Sequence, residues 1–366
     1  MARIGNKKGT LVAVGLSGGV DSSVAAALLR QKGYAVRGIT MQIFDGSLEL
    51  KEGHKHACYG PGEIEDLEAA ESVCQKLDIP LDTIDLRAEY RQFVIDHFRR
   101  EYLAGKTPNP CIVCNRRLKF GFLIEKAKKI GADFEFFATG HYARIVKSGG
   151  RYLLQKAKDT SKDQSYFLYA LTSEQLSHTI FPLGTHTKHQ VREMARAFGL
   201  TTAERTESQD FIAGGDYSLF FGKDEVKAGD IVNRDGKILG KHRGIIHHTV
   251  GQRRGIGIAS GRPLYVVKID AENNRIVVGD QEDLYSQGLI AKDINLIALD
   301  KIDRPYRARV KIRLNSRAVG ATVFPYENGK LKVLFNKPQM SVTPGQHAVF
   351  YDKDTVIGGG VIQKAL

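Results

Sequence analysis

The stretch Leu11-Val-Ala-Val-Gly-Leu-Ser-Gly-Gly-Val-Asp-Ser-Ser23 decides the fold, because it joins a short apolar segment to a glycine corner and then to a helical pattern. We expect a strand over Leu11–Leu16 and a helix with an Ala/Leu face over Ser22–Gln31. The corner between them collects free backbone N–H groups at the positive end of a helix dipole, which suits a phosphate group. Gly18 and Gly19 lack Cβ atoms, so the backbone there can approach an anion closely.

Strand and helix patterns alternate over the rest of the first ~200 residues, which implies a parallel sheet wound on both faces. The predicted elements are strands at Ala35–Met41, Leu81–Asp85 and Phe136–Thr139, and helices at Glu63–Leu77, Glu89–Tyr102 and Phe120–Ile130. From residue 213 glycine becomes frequent and helical periodicity disappears. The later pattern predicts a hairpin over residues 264–279 and a small antiparallel barrel with strands at Ala308–Arg313, Gly320–Tyr326, Lys330–Phe335, Ala348–Tyr351 and Val356–Ile362. We therefore predict an α/β protein with a C-terminal antiparallel β-barrel.

The charge balance favours a polyanionic partner. The 366 residues include 54 Lys and Arg against 41 Asp and Glu, for a net charge of +13. No apolar run approaches the ~20 residues that a membrane span needs, and the N-terminus does not resemble a signal peptide. Four cysteines are too few for a disulfide framework, so closely spaced ones indicate a metal site or catalysis. We expect a cytoplasmic protein with no membrane partner.

The glycine corner resembles the pyrophosphate loop, SGGxDS, of enzymes that cleave ATP between the α- and β-phosphates. It matches neither GxxxxGK[ST] nor GxGxxG, and it contains no lysine. Ser17 and Ser22 add hydroxyl donors, and Asp21 is suited to holding a metal ion or capping the helix. The alternative is an ordinary corner capped by Asp21. The residues expected to contact ATP are Gly15, Leu16, Ser17, Gly18, Gly19, Val20, Asp21, Ser22, Met41 and Gly140.

A second motif, Thr107-Pro-Asn-Pro-Cys-Ile-Val-Cys-Asn115, predicts a proline-stiffened loop that carries Cys-x-x-Cys. Four interpretations fit this spacing: a redox dithiol, half of a metal site, a nucleophile with a helper, or two structural cysteines.

Taken together, these motifs resemble the tRNA-specific 2-thiouridylase family MnmA (TrmU) over nearly the whole chain. The matching strings also include Ala138-Thr-Gly-His-Tyr-Ala-Arg144, Lys162-Asp-Gln-Ser-Tyr-Phe-Leu168, Thr249-Val-Gly-Gln-Arg-Arg-Gly255, Thr343-Pro-Gly-Gln346 and Gly358-Gly-Gly360. The resemblance implies an ATP-pyrophosphatase domain, a small central domain and a β-barrel. Because glycine becomes frequent and helical periodicity disappears from residue 213, we place these domains at residues 1–212, 213–284 and 285–366.

The resemblance also implies a reaction. ATP with Mg²⁺ adenylates the C2 oxygen of uridine 34 in tRNAs for Lys, Glu and Gln, and sulfur then displaces AMP. Cys114 corresponds to the nucleophilic cysteine. The residues implied to contact tRNA are Asn109, Pro110, Cys111, His141, Lys162, Asp163, Gln164, Arg313 and Gln346. We further expect Arg116, Arg117 and Lys119 to face the phosphate backbone.

The chain departs from the family pattern at its cysteines. The family usually has Asp at the position of Cys111, and a second cysteine where this chain has Asp210 within Glu207-Ser-Gln-Asp-Phe-Ile-Ala-Gly214. The swap keeps two thiolates and one carboxylate, as expected if Cys111, Cys114 and Asp210 ligate one metal centre. Three ligands on a [4Fe–4S] cluster would leave one iron open for hydrosulfide. The hypothesis is that these residues bind such a cluster.

Other interpretations of the thiols stay open. Cys111 and Cys114 are also suited to handling a persulfide between them, and zinc is a third option for this pair. Cys74 is expected in the core, whereas Cys58 follows a polar segment that can reach the site. The sulfur donor is not evident from the sequence.

Two other functions fit parts of the pattern. A ligase or amidotransferase of the same ATP class would act on a small molecule, but the basic barrel and the Cys-x-x-Cys motif argue against it. A non-catalytic tRNA-binding or iron–sulfur regulatory protein would not need the intact pyrophosphate loop.

Overall fold

The computed structural model describes residues 9–48, 57–206, 210–212 and 216–366. These residues form two compact units. The first unit comprises the described residues within Met1–Val94, Cys111–Asp216 and Asp354–Val356. The second comprises those within Ile95–Pro110, Tyr217–Lys353 and Ile357–Leu366. The predicted domain boundaries at 212/213 and 284/285 stay predictions.

The N-terminal half of the chain alternates strands and helices, with two π-helical stretches at Arg91–Ile95 and Cys114–Phe122. Its elements are β1 (Leu11–Gly15), α1 (Val20–Gln31), β2 (Ala35–Gln42), β3 (Ala57–Tyr59), α2 (Glu63–Leu77), β4 (Leu81–Asp85), α3 (Arg87–Tyr90), α4 (Asp96–Leu103), α5 (Pro110–Val113), α6 (Leu123–Lys129), β5 (Phe136–Ala138), β6 (Ala143–Ser148), β7 (Arg151–Lys156), α7 (Ser165–Leu168), α8 (Ser173–Ser177), β8 (Thr179–Ile180), α9 (Lys188–Ala197) and β9 (Asp210–Ile212).

A five-stranded parallel sheet in the order β4-β2-β1-β5-β8 forms the centre of the first unit. The central strand β1 reads LVAVG, and Val12, Ala13 and Val14 are fully buried. An apolar strand of this kind is typical of a parallel sheet covered on both faces. Helix α1 packs against it through a run of buried alanine, valine and leucine side chains. Cys74 of α2 belongs to the same core, which confirms its predicted structural role.

The sequence predictions for this half hold best where periodicity is strong. Helix α2 and strand β4 have the predicted bounds. The predicted helix Glu89–Tyr102 is interrupted by the π-helical stretch Arg91–Ile95. The antiparallel hairpin of β6 and β7 was not predicted. Its two-residue turn, Gly149-Gly150, has positive φ at both positions, which is the geometry of a type I′ turn between twisted strands.

The second unit is dominated by β-structure. Its strands are β10 (Gly229–Val232), β11 (Ile238–His242), β12 (Tyr265–Asp270), β13 (Arg275–Gly279), β14 (Tyr285–Leu296), β15 (Tyr306–Lys311), β16 (Val319–Tyr326), β17 (Lys330–Met340), β18 (His347–Asp352) and β19 (Thr355–Ala365). Short 3₁₀ helices occupy Tyr217–Phe220, Ile245–His247, Gln281–Leu284 and Glu327–Gly329, and a further one, Thr201–Glu204, follows α9 in the first unit.

Six of these strands close into an antiparallel barrel. They follow the order β14-β17-β16-β15-β18-β19, and β14 also pairs with β19. Inward side chains such as Val310, Val323, Val333 and Phe350 are fully buried in the core of the barrel. The smaller sheet β11-β10-β13-β12 precedes the barrel and includes the predicted hairpin over residues 264–279. The predicted fold class, an α/β domain followed by a small central domain and a C-terminal barrel, is confirmed.

Among the described residues, no helix has both the length and the apolar character that crossing a membrane requires.

Candidate functional site

A cavity lies at the carboxyl-terminal ends of β1, β2 and β5, which is where open α/β sheets bind their ligands. Lys119, His141 and Gln164 also line it. Seven of the ten residues expected to contact ATP form part of its wall: Gly15, Leu16, Ser17, Asp21, Ser22, Met41 and Gly140. The other three, Gly18, Gly19 and Val20, lie in the turn that joins Ser17 to Asp21. All ten residues expected to contact ATP therefore belong either to the cavity wall or to the loop behind it.

The corner between β1 and α1 keeps its helix N-terminus open. Gly19 precedes the helix in an extended conformation, and no side chain in the described part of the chain caps it. The Ser22 hydroxyl instead accepts a hydrogen bond from the Ser17 backbone N–H at 3.2 Å and donates one to the Gly19 carbonyl at 3.1 Å. Asp21 does not cap the helix, and Ser17, Asp21 and Ser22 line the cavity, so the N-terminus of α1 with its helix dipole lies at the cavity wall.

Gly18 has a specific conformational role, because its φ of +68° lies in the left-handed region that favours glycine. A Cβ at this position would meet the Asp66 carbonyl oxygen at 2.5 Å. Arg205 braces the same peptide by donating to the Gly18 carbonyl at 2.9 Å and to the Asp66 carboxylate at 2.8 Å. Arg205 and Asp66 thus fix the conformation of the loop through contacts with its Gly18 peptide.

Gly140 lies directly against the first turn of α1. A Cβ there would meet the backbone of Asp21 and Ser22 at 2.6 Å. We expect Gly140→Ala to displace the loop and to weaken ATP binding by roughly ten- to a hundred-fold, because small misplacements of positioning groups are costly. Isothermal titration calorimetry measures this directly. The matched control is Gly121→Ala, whose Cβ would have its closest contact at 3.4 Å, an ordinary distance. Equal ATP affinities for the two variants would contradict the role given to Gly140.

Asp21, which lines the cavity, already has close partners behind it. The ammonium of Lys188 lies 2.8 Å from both of its carboxylate oxygens, and the Tyr142 hydroxyl donates to one of them at 2.8 Å. Lys188 is the first residue of α9 and lies far along the chain from the loop. No sequence motif marked it, because only the fold brings it to the loop.

The Cys-x-x-Cys segment was predicted as a loop, and this prediction was wrong. Helix α5 begins at Pro110 and continues into the π-helical stretch Cys114–Phe122. Proline is favoured at the first position of a helix, where its missing N–H leaves no hydrogen bond unmade. Cys111 and Cys114 are therefore three positions apart on one helix face, and both are half-buried.

Three thiols and one cation interact at this helix. Cys58 is exposed on β3, and its neighbour Tyr59 stacks on Tyr90 with ring centroids 5.2 Å apart. Burial lowers the pKa of Lys119, but the electrostatic effect of Cys114, Cys58 and Cys111 outweighs it. The pKa of Lys119 is therefore above its ordinary value. The same three thiols add to the effect of burial in raising the pKa of Tyr90. Cys58 therefore lies within electrostatic range of the Cys-x-x-Cys pair, which the sequence left open.

Burial raises the pKa of Cys114 to about 11, against the opposing effect of the Lys119 ammonium. A thiol with this pKa is mostly protonated at neutral pH and is a weak nucleophile by itself. Lys119 was expected to face an RNA backbone together with Arg116 and Arg117. Those two arginines are exposed, but Lys119 is half-buried between the thiols and the cavity.

His141 completes this side of the cavity. Burial, and secondarily the charge of Lys119, hold its pKa well below the usual range, so the imidazole is neutral at neutral pH. Its Nδ1 lies 2.7 Å from the Thr139 hydroxyl, which fixes the ring. A neutral, oriented imidazole at this position can donate a hydrogen bond to a polar ligand or accept one from it.

The third proposed metal ligand, Asp210, is described only by its backbone, and its side chain lies outside the described residues. The backbone of β9 pairs in parallel with β3, so that Asp210 lies opposite Ala57, next to Cys58. Within the part of the chain that the structure describes, no three His, Cys, Asp or Glu side chains are grouped closely enough to hold a single metal ion. The donor chemistry at the helix, two thiols beside a cation, nonetheless suits an anionic sulfur-ligated group.

The residues expected to contact tRNA have different surroundings. In the first unit, Asp163 accepts hydrogen bonds from the backbone of Ala157 and Ser165, and Gln164 accepts one from the Tyr142 N–H at 2.9 Å. These bonds shape the segment, and Lys162 is half-buried at its start.

In the second unit, the Gln346 amide donates to the Thr107 carbonyl at 3.0 Å and so supports the segment that carries Asn109 and Pro110. The Arg313 guanidinium donates to the Val250 carbonyl and to the Thr343 hydroxyl. The tRNA contacts of all these residues stay predictions.

Three family models match the chain in succession. Residues 10–213 match "tRNA methyl transferase HUP domain", residues 223–280 match "tRNA methyl transferase PRC-barrel domain", and residues 286–362 match "Aminomethyltransferase beta-barrel domain". Among curated proteins, the chain is 48% identical to a protein named tRNA-specific 2-thiouridylase MnmA from Acetivibrio thermocellus, over 96% of this chain and 99% of that protein. It is 45% identical to the protein of the same name from Clostridium perfringens, over 97% of this chain and 99% of that protein.

Similar solved structures share only part of the chain. The U34-tRNA thiolase NcsA from Methanococcus maripaludis with its [4Fe-4S] cluster is 19% identical, with a TM-score of 0.36 over 60% of this chain and 65% of that chain. A 4-thiouridine synthetase in complex with RNA and ATP is 18% identical, with a TM-score of 0.33 over 53% of this chain and 42% of that chain.

Proposed function

The chain belongs to the tRNA-specific 2-thiouridylase MnmA family, and we propose that it uses ATP to replace the C2 oxygen of wobble uridine 34 in tRNA with sulfur. The observation that carries the proposal is the position of Lys119. This one side chain lines the cavity beside the pyrophosphate loop and also interacts with Cys114. An activated uridine held in the cavity would therefore meet the sulfur site.

The proposed reaction has two steps. The C2 oxygen of the uridine bonds to the α-phosphorus of ATP, and pyrophosphate leaves. Sulfur then bonds to C2, and the C2–oxygen bond breaks, so that AMP leaves with the original oxygen. The uncapped N-terminus of α1 supplies backbone N–H groups for the pyrophosphate, whose charge they stabilise in a preorganised way. The Asp21 carboxylate suits Mg²⁺, which prefers oxygen ligands alongside phosphates.

The proposed substrates are tRNAs for Lys, Glu and Gln. The net charge of +13 supports a nucleic-acid partner, and we propose a cytoplasmic location. The target uridine must leave its stack to reach the cavity. We propose that Asn109, Pro110, Cys111, His141 and the Lys162–Gln164 segment hold this base and its neighbours, and that Arg313 and Gln346 of the second unit also contact the tRNA.

Sulfur is proposed to be held at Cys111 and Cys114, with Asp210 as the third ligand of a [4Fe–4S] cluster. When bound, such a cluster would supply an open iron that carries hydrosulfide. An unassisted Cys114 thiol is mostly protonated and would be a poor sulfur nucleophile by itself. A cluster would hold the thiols as thiolates, and the positive charge of Lys119 would stabilise such an anionic group. A persulfide shared by Cys111 and Cys114 is the alternative that the same contacts allow, and zinc on this pair lacks four evident ligands.

Pyrophosphate release tests the overall function. We expect the purified protein to form AMP and pyrophosphate from ATP only when unmodified tRNA with U34 is present. A transcript with cytidine at position 34 is the matched control and should give no release. AMP formation that does not require tRNA but depends on a small molecule would favour a ligase or amidotransferase instead. No AMP formation under any condition would favour a non-catalytic tRNA-binding protein.

Iron and acid-labile sulfide analysis after anaerobic reconstitution tests the sulfur site. We expect the wild type to bind a cluster, and the variants Cys111→Ala, Cys114→Ala and Asp210→Ala to lose most of its visible absorbance and iron. Cys74→Ala is the matched control, since this thiol lies in the core. If Cys58→Ala loses the cluster while Asp210→Ala retains it, the assignment of Asp210 is wrong and Cys58 is the third ligand. An iron-free protein that still thiolates tRNA would exclude the cluster.

A further inference from the structure

The pyrophosphate loop carries no cation of its own. No Lys or Arg occurs between Gly15 and Ser23, although a bound triphosphate brings several negative charges to the loop. The N-terminus of a helix offers the equivalent of only about half a positive charge. Beyond a metal ion and Lys119 in the cavity wall, a cation held against the loop by the fold would strengthen pyrophosphate binding.

Lys188 supplies such a cation. Its side chain is only 12% exposed, and its ammonium makes 2.8 Å contacts with both oxygens of Asp21, a residue of the first turn of α1. The Tyr142 hydroxyl bonds to the same carboxylate, and the Tyr142 ring lies 5.9 Å from the Lys188 ammonium. The ammonium of Lys188 is thus held against Asp21, a residue that lines the cavity.

An anionic ligand changes the balance of this ion pair. An ammonium has three donors, and it bonds more strongly to a multiply charged phosphate than to one carboxylate. The Asp21 carboxylate, in turn, is repelled by phosphates unless a metal ion lies between them. Both effects favour a transfer of Lys188 from Asp21 to the phosphates when nucleotide enters.

We propose that Lys188 is the phosphate-binding cation of this loop, and that it exchanges its Asp21 partner for the pyrophosphate moiety of ATP. The proposal rests on the proposed function, because it assumes that the cavity takes ATP. Lys188 then holds the β- and γ-phosphates and later the departing pyrophosphate. Asp21 is released at the same moment and becomes able to contact the metal ion that accompanies the nucleotide.

Binding measurements on the full-length chain test this role. ATP, pyrophosphate and AMP are titrated, each with Mg²⁺, into the wild type, Lys188→Met and Lys188→Arg. We expect Lys188→Met to weaken ATP and pyrophosphate by about ten- to a hundred-fold, the usual effect of losing a charge-assisted hydrogen bond. AMP, which lacks the two outer phosphates, should bind with less than about a twofold change. Lys188→Arg keeps the charge and should recover part of the loss.

The control variant is Arg196→Met, on the same helix, whose exposed partner Glu204 lies away from the cavity wall. It should bind all three ligands as the wild type does. Lys188→Met leaves Asp21 without its cation, so the double variant Lys188→Met/Asp21→Asn removes the unpaired charge. This double variant should melt near the wild-type temperature and still bind pyrophosphate weakly.

The outcomes separate the possible failures. If ATP, pyrophosphate and AMP all weaken together in Lys188→Met and in the double variant, Lys188 only supports the structure and the proposal is wrong. Unchanged pyrophosphate affinity in both variants would also overturn it. If the wild type itself binds neither ATP nor pyrophosphate, the proposed function fails, whatever the role of Lys188.

Discussion

Replacement of Cys114 by serine is expected to abolish tRNA thiolation, with a loss of roughly a thousand-fold or more in rate. Cys114 is half-buried on the helix that begins at Pro110, and it interacts with Lys119 at the edge of the cavity. No other described group in that helix offers sulfur chemistry except Cys111, one turn earlier. Serine keeps the size of the side chain but cannot carry a transferable sulfur or bind a soft metal.

The Cys114 prediction is measured by retardation of tRNA on a mercury-containing gel. ATP affinity should stay within about twofold of the wild type, because the pyrophosphate loop is unchanged. Cys74→Ala is the control, since it removes a thiol from the core and should retain thiolation. Thiolation by Cys114→Ser above about a tenth of the wild-type rate would show that this residue neither carries nor positions the sulfur.

Lys119→Met is expected to reduce thiolation by about a hundred-fold or more, the size of effect seen when a preorganised donor in a water-poor site is removed. Lys119 lines the cavity and interacts with the three thiols, so in the proposed reaction its ammonium would lie near both reacting partners. Losing it removes the charge that favours an anionic sulfur and the departing AMP. Lys119→Arg should retain more of the rate than Lys119→Met does.

The Lys119 prediction has a matched control and a second measurement. Lys129→Met removes an exposed lysine of α6 that pairs with Glu125 at 2.7 Å, and it should behave as the wild type does. The pKa of His141, followed by NMR, should rise in Lys119→Met because one of the two causes of its depression is gone. Burial still holds that pKa below the usual range. An unchanged thiolation rate and an unchanged His141 pKa would place Lys119 outside the site.

The sequence alone was sufficient for the parallel sheet, because β1 and α1 have strong local signals. An apolar strand, two glycines and an Ala/Leu helix face leave few alternatives. The same reasoning predicted α2 with the correct bounds. It gave the wrong structure for residues 110–113, because two prolines and an asparagine suggested a loop, whereas Pro110 occupies the first position of a helix. The unpredicted hairpin of β6 and β7 was marked only by the turn residues Gly149-Gly150.

The site was predictable where its residues are adjacent in sequence and not where the fold assembles them. The loop Gly15–Ser22 was found because its function requires glycine at fixed spacing. The role of Lys188 cannot be predicted from sequence, because its partner Asp21 is distant along the chain and a lysine at the start of a helix gives no signal. Lys119 was assigned to an RNA surface because periodicity does not reveal which face of a π-helical stretch is covered. The position of Cys58 near the Cys-x-x-Cys pair depends on the pairing of β3 with β9. Strands of only three residues give no sequence signal from which that pairing could be predicted.

Transfer of an oxygen isotope from tRNA to AMP tests whether ATP activates the base for displacement by sulfur. Unmodified tRNA that carries a heavy oxygen isotope at C2 of uridine 34 is incubated with the protein, ATP and a sulfur source, and the AMP is analysed by mass spectrometry. If ATP activates the base as an adenylate that sulfur displaces, the heavy oxygen appears in AMP in step with the 2-thiouridine formed. AMP without the label, in the presence of thiolated tRNA, would contradict this account.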